Sequence, residues 1–315
     1  MPRILIELPN WLGDAVMATP SISNFLKKFD SVDLFFVSHN PAVIEIFKKH
    51  PNTNNAFFVN KNIFNIYNFA KRSGKFNYFV SYRNTIHSRI LKFFISANKK
   101  YSYKKNRVLG LHQVQKYNFF TNSFSENKYE PGNLDVFFEP RYNVQSEMIG
   151  LNPGGSYGDA KRWNLQEFAK LAKYFSSHYQ ILILGGNEEV EAAQEIENYL
   201  QDNGINNFQN LAGKTSISDL IELINNLELL VTNDSGTMHI AAALKTPTVS
   251  VFGPTNYIET SQWKNNQSFI EHLNLECQPC MKRSCPLKHH NCMNLLKAER
   301  VIKTILDNKL LKDLK

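Results

Sequence analysis

The segment Leu229–Leu244, LLVTNDSGTMHIAAAL, joins an apolar strand to a helix of small residues through the turn TNDSG. Ligands of parallel α/β sheets bind beyond the carboxyl ends of strands, and the free amide groups of a helix start attract anions. The turn offers further hydrogen-bond donors at Ser235, Gly236 and Thr237. His239, in the first helical turn, is either a ligand contact or a half-buried imidazole satisfied inside the protein. Asp234 either holds the turn by accepting amide hydrogen bonds, or contacts a ligand hydroxyl or a bridging cation.

Outward from this segment, short apolar runs alternate with amphipathic stretches along the whole chain. This alternation is typical of βαβ units in parallel sheets. The runs form two series, at 4–8, 32–38, 56–59, 78–82 and 108–109, and at 148–152, 180–184, 208–211, 227–232 and 248–252. We therefore predict an α/β fold of two similar lobes, 1–146 and 147–297, joined near the polar stretch 138–148. The last helix, within 298–315, is free to pack back on the first lobe.

A second loop of the second lobe, NPGGSYGDAKRWN (Asn152–Asn164), also predicts contact with an anion. Its glycines allow the backbone to approach a ligand closely. Lys161 and Arg162 follow at the start of the next helix, where a cation can meet a diphosphate. The alternative is a flexible turn with a solvated basic pair.

Two shorter loops carry weaker signals. Asn187, in LGGNEE (Leu184–Glu189), caps a helix or contacts a ribose, and Thr215, in AGKTS (Ala212–Ser216), can also be a simple cap. No G-x-G-x-x-G and no G-x-x-x-x-G-K-[ST] follows a strand, which argues against nicotinamide, flavin and P-loop proteins. No Asp-x-Asp pair follows a strand either, so no motif implies Mg²⁺.

The first turn of the first lobe, PNWLGDAV (Pro9–Val16), holds a carboxylate where many α/β proteins hold a glycine-rich phosphate loop. Asp14 is either a helix cap or a catalytic base. Pro20, a few residues later, either begins a helix capped by Thr19 or lies inside a helix that begins near Asp14.

The net charge of +8 and the pI near 9.1 favour anionic partners. The basic stretch NKKYSYKKNR (98–107) is either a solvated loop and edge strand or a surface that grips phosphates of a large substrate. No nucleic-acid-binding motif accompanies it, so nucleic acid is not expected as a partner. No apolar run is long enough to span a membrane and no secretory signal opens the chain, so a cytoplasmic location is expected.

The four cysteines have the spacing C-x₂-C-x₄-C-x₆-C, at Cys277, Cys280, Cys285 and Cys292. Four thiolates can hold a structural zinc ion. Free thiols and, less readily in a reducing compartment, disulfides are the alternatives.

Several of these elements together resemble the lipopolysaccharide heptosyltransferases of glycosyltransferase family 9. They are the early GD and TP, NPGGSYGDAKRWN, TNDSGTMHIAAAL and VFGPT (251–255). The forms GDAKRW and TNDSGTMH are more similar to heptosyltransferase II than to heptosyltransferase I. The resemblance runs from about residue 4 to 301, although beyond Pro20 the first lobe matches mainly in pattern.

The resemblance implies a GT-B fold, whose two Rossmann-like lobes face each other across a cleft, with an acceptor-binding first lobe and an ADP-sugar-binding second lobe. It implies inverting transfer of L-glycero-D-manno-heptose from ADP-heptose to heptosyl-Kdo₂–lipid A at the inner membrane face, without a required cofactor. Asp14 would be the general base and Lys161 would meet the diphosphate. The other implied donor contacts are Ser156 and Tyr157 in the phosphate loop, Asn187 at the ribose, Thr215 near the adenine, and Asp234, Ser235, Gly236, Thr237 and His239 at the diphosphate.

Asn187 departs from the family, which often has a glutamate at the ribose. Candidates for acceptor contact are Arg83, Arg89, Lys104, Lys105 and Arg107, although surface charge alone would also explain them. Alternatives to the leading interpretation are another transferase of the family, with a different donor or acceptor, and a non-catalytic protein that binds nucleotide sugars or anionic glycans.

Overall fold

The computed structural model describes residues 1–104, 110–126, 128–141, 147–155 and 157–312. The chain divides into two compact units, Met1–Glu139 and Pro140–Lys315. Each unit contains a parallel sheet flanked by helices, so the predicted α/β class is confirmed.

The sheet of the first unit has the strand order β3-β2-β1-β4-β5, and all its described neighbours are parallel. Its strands are β1 (Arg3–Glu7), β2 (Asp33–Ser38), β3 (Thr53–Phe58), β4 (Lys75–Ser81) and β5 (Ser96–Ser102). Its helices are α1 (Leu12–Leu26), α2 (Pro41–Phe47), α3 (Ile63–Arg72), α4 (Ile86–Phe94) and α5 (Gln113–Asn122). Side chains such as Leu5, Val37, Phe79 and Leu91 fill the core between the sheet and α3 and α4.

Strand β5 corrects the predicted strand series. The strand expected at 108–109 lies outside the described residues, and the fifth strand observed is the lysine-rich Ser96–Ser102. This strand lies at the edge of the sheet, where Lys99 and Lys100 can stay solvated and discourage pairing with another chain. The described start of the basic stretch 98–107 is therefore an edge strand, as one alternative had it.

Helix α1 contains Pro20 in its interior. Proline cannot donate an amide hydrogen bond to the carbonyl four residues earlier. Here the hydroxyl of Thr19 donates to the Val16 carbonyl at 2.7 Å instead, and it accepts from the Asp135 amide at 2.9 Å. The Thr19 hydroxyl thus replaces the missing amide of Pro20 as donor to Val16, and the helix continues through Pro20. The alternative in which Thr19 caps a helix starting at Pro20 is therefore wrong.

The sheet of the second unit has the strand order β11-β10-β9-β6-β7-β8, again parallel throughout. Its strands are β6 (Met148–Asn152), β7 (Gln180–Ile183), β8 (Phe208–Asn210), β9 (Leu229–Asn233), β10 (Thr248–Val251) and β11 (Ser268–Glu271). Its helices are α6 (Leu165–Phe175), α7 (Val190–Asp202), α8 (Ile217–Asn226), α9 (Gly236–Leu244), α10 (Tyr257–Thr260), α11 (Asn291–Asn294) and α12 (Ala298–Asp307). Strand β11, a short edge strand of mixed polarity, was not predicted.

The last helix, α12, packs in the second unit. Its apolar residues Val301, Ile302 and Ile305 lie in the core cluster that also contains Phe168 and Leu171 of α6. Their burial makes α12 part of the second unit rather than of the first. Among the described residues, no helix is long and apolar enough to cross a membrane.

Candidate active site

The turn between β9 and α9 is fixed by hydroxyl and amide groups from two adjacent strands. Asn152, at the end of β6, donates from Nδ2 to Thr232 Oγ1 at 3.1 Å and to Ser235 Oγ at 3.0 Å. The hydroxyl oxygens of Thr232 and Ser235 are 3.1 Å apart. Ser235 occupies the N-cap position, and Gly236 and Thr237 begin the helix. The hydroxyl is thus held beside a helix start, whose amide groups attract anions.

Asn233 ties this turn to the glycine-rich loop after β6. Its Nδ2 donates to the carbonyl oxygens of Pro153 at 2.6 Å and Gly154 at 3.2 Å. Its Oδ1 accepts from the Trp163 amide at 3.1 Å. The side chain is fully buried and fixes both ends of the loop. The sequence analysis did not single out Asn233, although its place in the turn TNDSG, next to Asp234, was a signal.

Lys161 and Asp234 form an ion pair at the centre of the site. Lys161 Nζ lies 2.5 Å from Asp234 Oδ2, and the two side chains are only 13% and 4% exposed. The same carboxylate oxygen accepts from the Thr255 hydroxyl at 2.6 Å. The interpretation of Asp234 as an acceptor for turn amides is therefore replaced by an ion pair, because a lysine with so little access to water needs a counter-charge.

Tyr157 lies between two cations. Lys161 Nζ is 4.8 Å from the centre of its ring and the guanidinium carbon of Arg283 is 5.3 Å from it, both within cation–π range. The Tyr157 hydroxyl donates to the Met281 carbonyl at 2.9 Å. Arg283, from the cysteine-rich segment, was not predicted as a site residue, since nothing in its local sequence indicates this contact.

Gly158 allows the loop and the cysteine-rich segment to meet. Its φ is 148°, and a Cβ atom there would lie 2.4 Å from the Arg283 carbonyl oxygen. The same carbonyl accepts from the Ala160 amide at 3.0 Å. A side chain at Gly158 would therefore force apart the two segments that hold Lys161 in place.

Asn187 and Thr215 do not cap helices. Glu189 Oε2 accepts from the Gly186 amide at 2.9 Å, while Asn187 is exposed. Ser216, not Thr215, caps α8: its Oγ accepts from the Asp219 amide at 3.1 Å. The capping interpretations of Asn187 and Thr215 are therefore wrong, and their donor contacts stay predictions.

The remaining residues predicted to contact the sugar donor lie at the N-cap or in the first turn of α9. Thr237 and His239 are buried, at 8% and 3% exposure, and Ser235 and Gly236 are half-buried. Ser156 lies outside the described residues. The structure thus gathers Tyr157, Lys161, Asp234 and the start of α9 into one place.

Asp14 lies in the first unit, in the first turn of α1. Trp11 occupies the N-cap position, so Asp14 is not the capping residue, although its charge complements the positive end of the helix. The side chain is half-buried. Burial raises the pKa of Tyr117 well above its usual value, and the charge of Asp14 raises it further. Asp14 thus lies close to Tyr117 of α5.

Arg83, one of the acceptor candidates, is 9% exposed and belongs to a buried polar cluster that the sequence analysis missed. Its Nη1 is 3.6 Å from Glu7 Oε1, and His39 Nε2 is 3.9 Å from the same atom. Glu7 accepts hydrogen bonds from Ser81 at 2.5 Å and Ser88 at 2.8 Å. Burial raises the pKa of Glu7 and lowers the pKa of His39 to about 4, so His39 is neutral at pH 7.

Of the other acceptor candidates, the structure describes Arg89 and Lys104. Arg89 is exposed, and its Nε donates to Asn84 Oδ1 at 3.2 Å. Lys104 lines a groove of about 350 Å³ together with Lys100 and Lys116. Lys105 and Arg107 lie outside the described residues.

The four cysteines are free thiols that line one narrow cavity. Burial, followed by the nearby thiols of Cys277, Cys280 and Cys285, raises the pKa of Cys292 to about 11. Within the part of the chain that the structure describes, no three His, Cys, Asp or Glu side chains are arranged to hold a metal ion. The structural zinc ion therefore stays a prediction without a preformed ligand set.

Comparison with known proteins identifies the relatives of this chain. The family model of glycosyltransferase family 9 (heptosyltransferase) matches residues 112–291. Lipooligosaccharide heptosyltransferase 2 of Campylobacter jejuni serotype O:2 is 37% identical over 321 residues, which cover 97% of this chain and 99% of the relative.

Two solved structures have a similar fold. E. coli ADP-heptose lps heptosyltransferase II superimposes with a TM-score of 0.80 at 19% identity, over 99% of this chain and 100% of the other. E. coli heptosyltransferase WaaC, solved with ADP, gives a TM-score of 0.74 at 16% identity, over 97% and 99% of the two chains. At these identities the likeness shows the fold, which is the GT-B fold that the sequence motifs implied.

Proposed function

Because the chain belongs to glycosyltransferase family 9, the heptosyltransferases, we propose that it transfers L-glycero-D-manno-heptose from ADP-heptose to the heptosyl-Kdo₂–lipid A inner core of lipopolysaccharide. The observation that carries the proposal is the pairing of Lys161 with Asp234 beside the start of α9. A cation beside free amide groups is what the departure of a diphosphate requires, so this arrangement supports the proposal. The identity to a heptosyltransferase 2 over nearly the whole chain favours the second heptose addition.

The donor diphosphate would bind at the start of α9. The amides of Gly236 and Thr237, the hydroxyl of Ser235 and the ammonium of Lys161 supply hydrogen-bond donors and positive charge. Asp234 would share Lys161 with the incoming diphosphate. As the bond between the anomeric carbon and the diphosphate oxygen breaks, these groups stabilise the charge that develops on ADP.

Asp14 would act as the general base. Its carboxylate removes the proton of the acceptor hydroxyl, and that oxygen forms the new bond to the anomeric carbon as ADP leaves from the opposite face. Configuration at that carbon is therefore inverted, and the proton resides on Asp14 until solvent removes it. The half-buried position of Asp14 in the first turn of α1 supports this role, because the carboxylate stays accessible and is fixed by the helix.

Transfer by this route requires no metal ion, because Lys161 and the helix start supply the positive charge for the leaving group. We expect EDTA to leave the rate unchanged and added Mg²⁺ to have little effect. The lipid acceptor would bring the enzyme to the cytoplasmic face of the inner membrane as a peripheral protein.

The deciding experiment is a transfer assay with ADP-heptose and two acceptors, heptosylated Kdo₂–lipid A and Kdo₂–lipid A without heptose. Product from the heptosylated acceptor alone, with an inverted anomeric centre by NMR, supports the proposal. Product from the bare Kdo acceptor would reassign the enzyme to the first heptose addition. Binding of ADP without transfer to either acceptor would favour another donor, another acceptor or a non-catalytic binding role.

A further inference from the structure

The charges of the chain are strongly segregated. Between Glu45 and Glu126 the sequence contains fifteen Lys or Arg and no Asp or Glu. The rest of the chain contains 21 Lys or Arg and 28 Asp or Glu, so this one segment accounts for the whole net charge of +8. All of it belongs to the first unit. A surface built from this segment attracts anions and carries no acidic side chain of its own that would repel them.

Helices α3 and α4, within this segment, expose large apolar side chains to water. Phe64, Ile86 and Phe93 are 72%, 73% and 78% exposed, and Ile63 is 51% exposed. We call these four residues, with Tyr67 and Phe94, the apolar patch.

The patch is continuous across the two helices. The rings of Tyr67 on α3 and Phe94 on α4 are 5.1 Å apart, and those of Phe93 and Phe94 are also 5.1 Å apart. Phe64 lies one helical turn before Tyr67, on the same side of α3. Single exposed apolar residues are ordinary on protein surfaces, whereas a continuous group of them marks an interaction site.

Basic side chains surround the patch. Lys61 precedes α3, Lys71 and Arg72 end it, and Arg89 and Lys92 lie on α4 between Ile86 and Phe93. All but Lys92, which is half-buried, are exposed. Aromatic and aliphatic residues flanked by Lys and Arg are the combination that binds the headgroup and acyl boundary of an anionic membrane.

We propose that the apolar patch and its basic border form a docking surface for an anionic lipid bilayer. The proposal rests on the proposed function, whose acceptor is itself a lipid. Charge complementarity favours a bilayer over a symmetric contact with a second copy of the chain, since that contact would set two acid-free basic surfaces against each other. The exposed Phe and Ile side chains favour a bilayer over a purely ionic partner such as nucleic acid. Transfer of these side chains from water into an apolar environment contributes favourable binding free energy, which a purely ionic partner does not provide.

The test is binding to vesicles, measured by flotation and without any transfer reaction. Wild-type protein should bind vesicles of phosphatidylethanolamine and phosphatidylglycerol, and should bind phosphatidylcholine vesicles much more weakly. The charge variant Lys61→Glu/Arg72→Glu should bind anionic vesicles at least about 25-fold more weakly, about fivefold for each lost cation. The apolar variant Phe64→Ser/Phe93→Ser should also lose binding.

Matched controls lie in the second unit. Tyr174→Ser removes an aromatic ring that is 51% exposed, and Lys303→Glu reverses an exposed charge on α12. Both should leave vesicle binding unchanged. Circular dichroism and thermal unfolding of every variant establish that the replaced side chains are not needed for folding, as their exposure implies.

Two acceptors separate this proposal from the proposed function. The patch variants should lose activity on heptosylated Kdo₂–lipid A embedded in vesicles and keep it on the same acceptor after removal of its acyl chains. Wild-type transfer without vesicle binding would overturn the docking surface and leave the proposed function intact. Vesicle binding without transfer would support docking while the proposed function fails. Loss of a dimer or of RNA binding in the patch variants, with vesicle binding unchanged, would also overturn the docking surface.

Discussion

Replacement of Lys161 by methionine separates a structural from a chemical role of the ion pair. Lys161 Nζ lies 2.5 Å from Asp234 Oδ2, and the lysine is 13% exposed. Breaking an ion pair of this intermediate accessibility costs roughly 2 kcal/mol, between the values for exposed and fully buried pairs. For a unit of this size, that loss lowers Tm by roughly 4–8 °C.

The effect on catalysis should be larger than the effect on stability. If Lys161 stabilises the departing diphosphate, its removal should lower kcat by about 10²–10³-fold, as loss of one such donor does in other enzymes. The assay is the release of ADP with saturating donor and acceptor, below the Tm of the variant. ADP affinity, measured by calorimetry, should also fall.

Asp234→Asn is the matched control, because it breaks the same ion pair and keeps an oxygen that can accept from Thr255. Its Tm should fall by a similar amount, while Lys161 remains available to the diphosphate. ADP affinity and kcat should fall much less than in the Lys161 variant, because the ammonium group remains and a repelling carboxylate is removed, although Asp234 no longer positions the lysine. If Tm and kcat fall by the same amounts in both variants, Lys161 acts only as a structural partner. Its assigned role in stabilising the departing diphosphate is then refuted.

Three further predictions concern other residues. Asp14→Asn should lower transfer by roughly 10²–10⁴-fold and leave ADP affinity unchanged in calorimetry; undiminished transfer would exclude this base. Gly158→Ala should lower Tm and ADP affinity, because its Cβ meets a carbonyl oxygen at 2.4 Å, whereas Gly132→Ala, with nothing within 4 Å, should change neither. Burial lowers the pKa of His39 and of His50 from 6.5 to about 4, so their neutral forms stabilise the fold above pH 6.5, and this stability is lost as pH falls towards 4. Urea unfolding should show a slope of up to about 1.4 kcal/mol per pH unit for each imidazole, and His50→Gln should reduce the slope; an unchanged slope would contradict the assignment.

Secondary structure was predictable where hydrophobic periodicity and tertiary structure agree. Strand β9 is buried throughout and is followed by the small residues of α9, so Leu229–Leu244 predicted both correctly. Strand β5 was absent from the predicted strand series, and an edge strand was only one alternative for the basic stretch, because its lysines are typical of a loop. Only its position at the sheet edge lets these lysines remain solvated. Local pattern carries no information about which strand will lie at an edge.

The residues of the site were harder to predict where their roles depend on partners distant in sequence. Asn233 is polar and fully buried because three groups of the glycine-rich loop, 70 to 80 positions earlier, satisfy its amide. Arg283 approaches Tyr157 only because Gly158 lets the two segments touch. Neither contact follows from spacing or periodicity, since both depend on how two irregular loops close on each other.

Asp234 poses the sharpest question of the sequence, since a carboxylate beside an anion site should repel the ligand. The geometry resolves it: without a counter-charge, Lys161 would be a nearly buried cation with too little contact with water. Asp234 supplies that counter-charge and holds the lysine in place, and Thr255 in turn fixes the carboxylate. A diphosphate carries more negative charge than one carboxylate. It would therefore accept hydrogen bonds from the same ammonium group with little movement of Lys161. The acid is therefore compatible with the proposed anion site, because it orders in advance the cation that the diphosphate would contact.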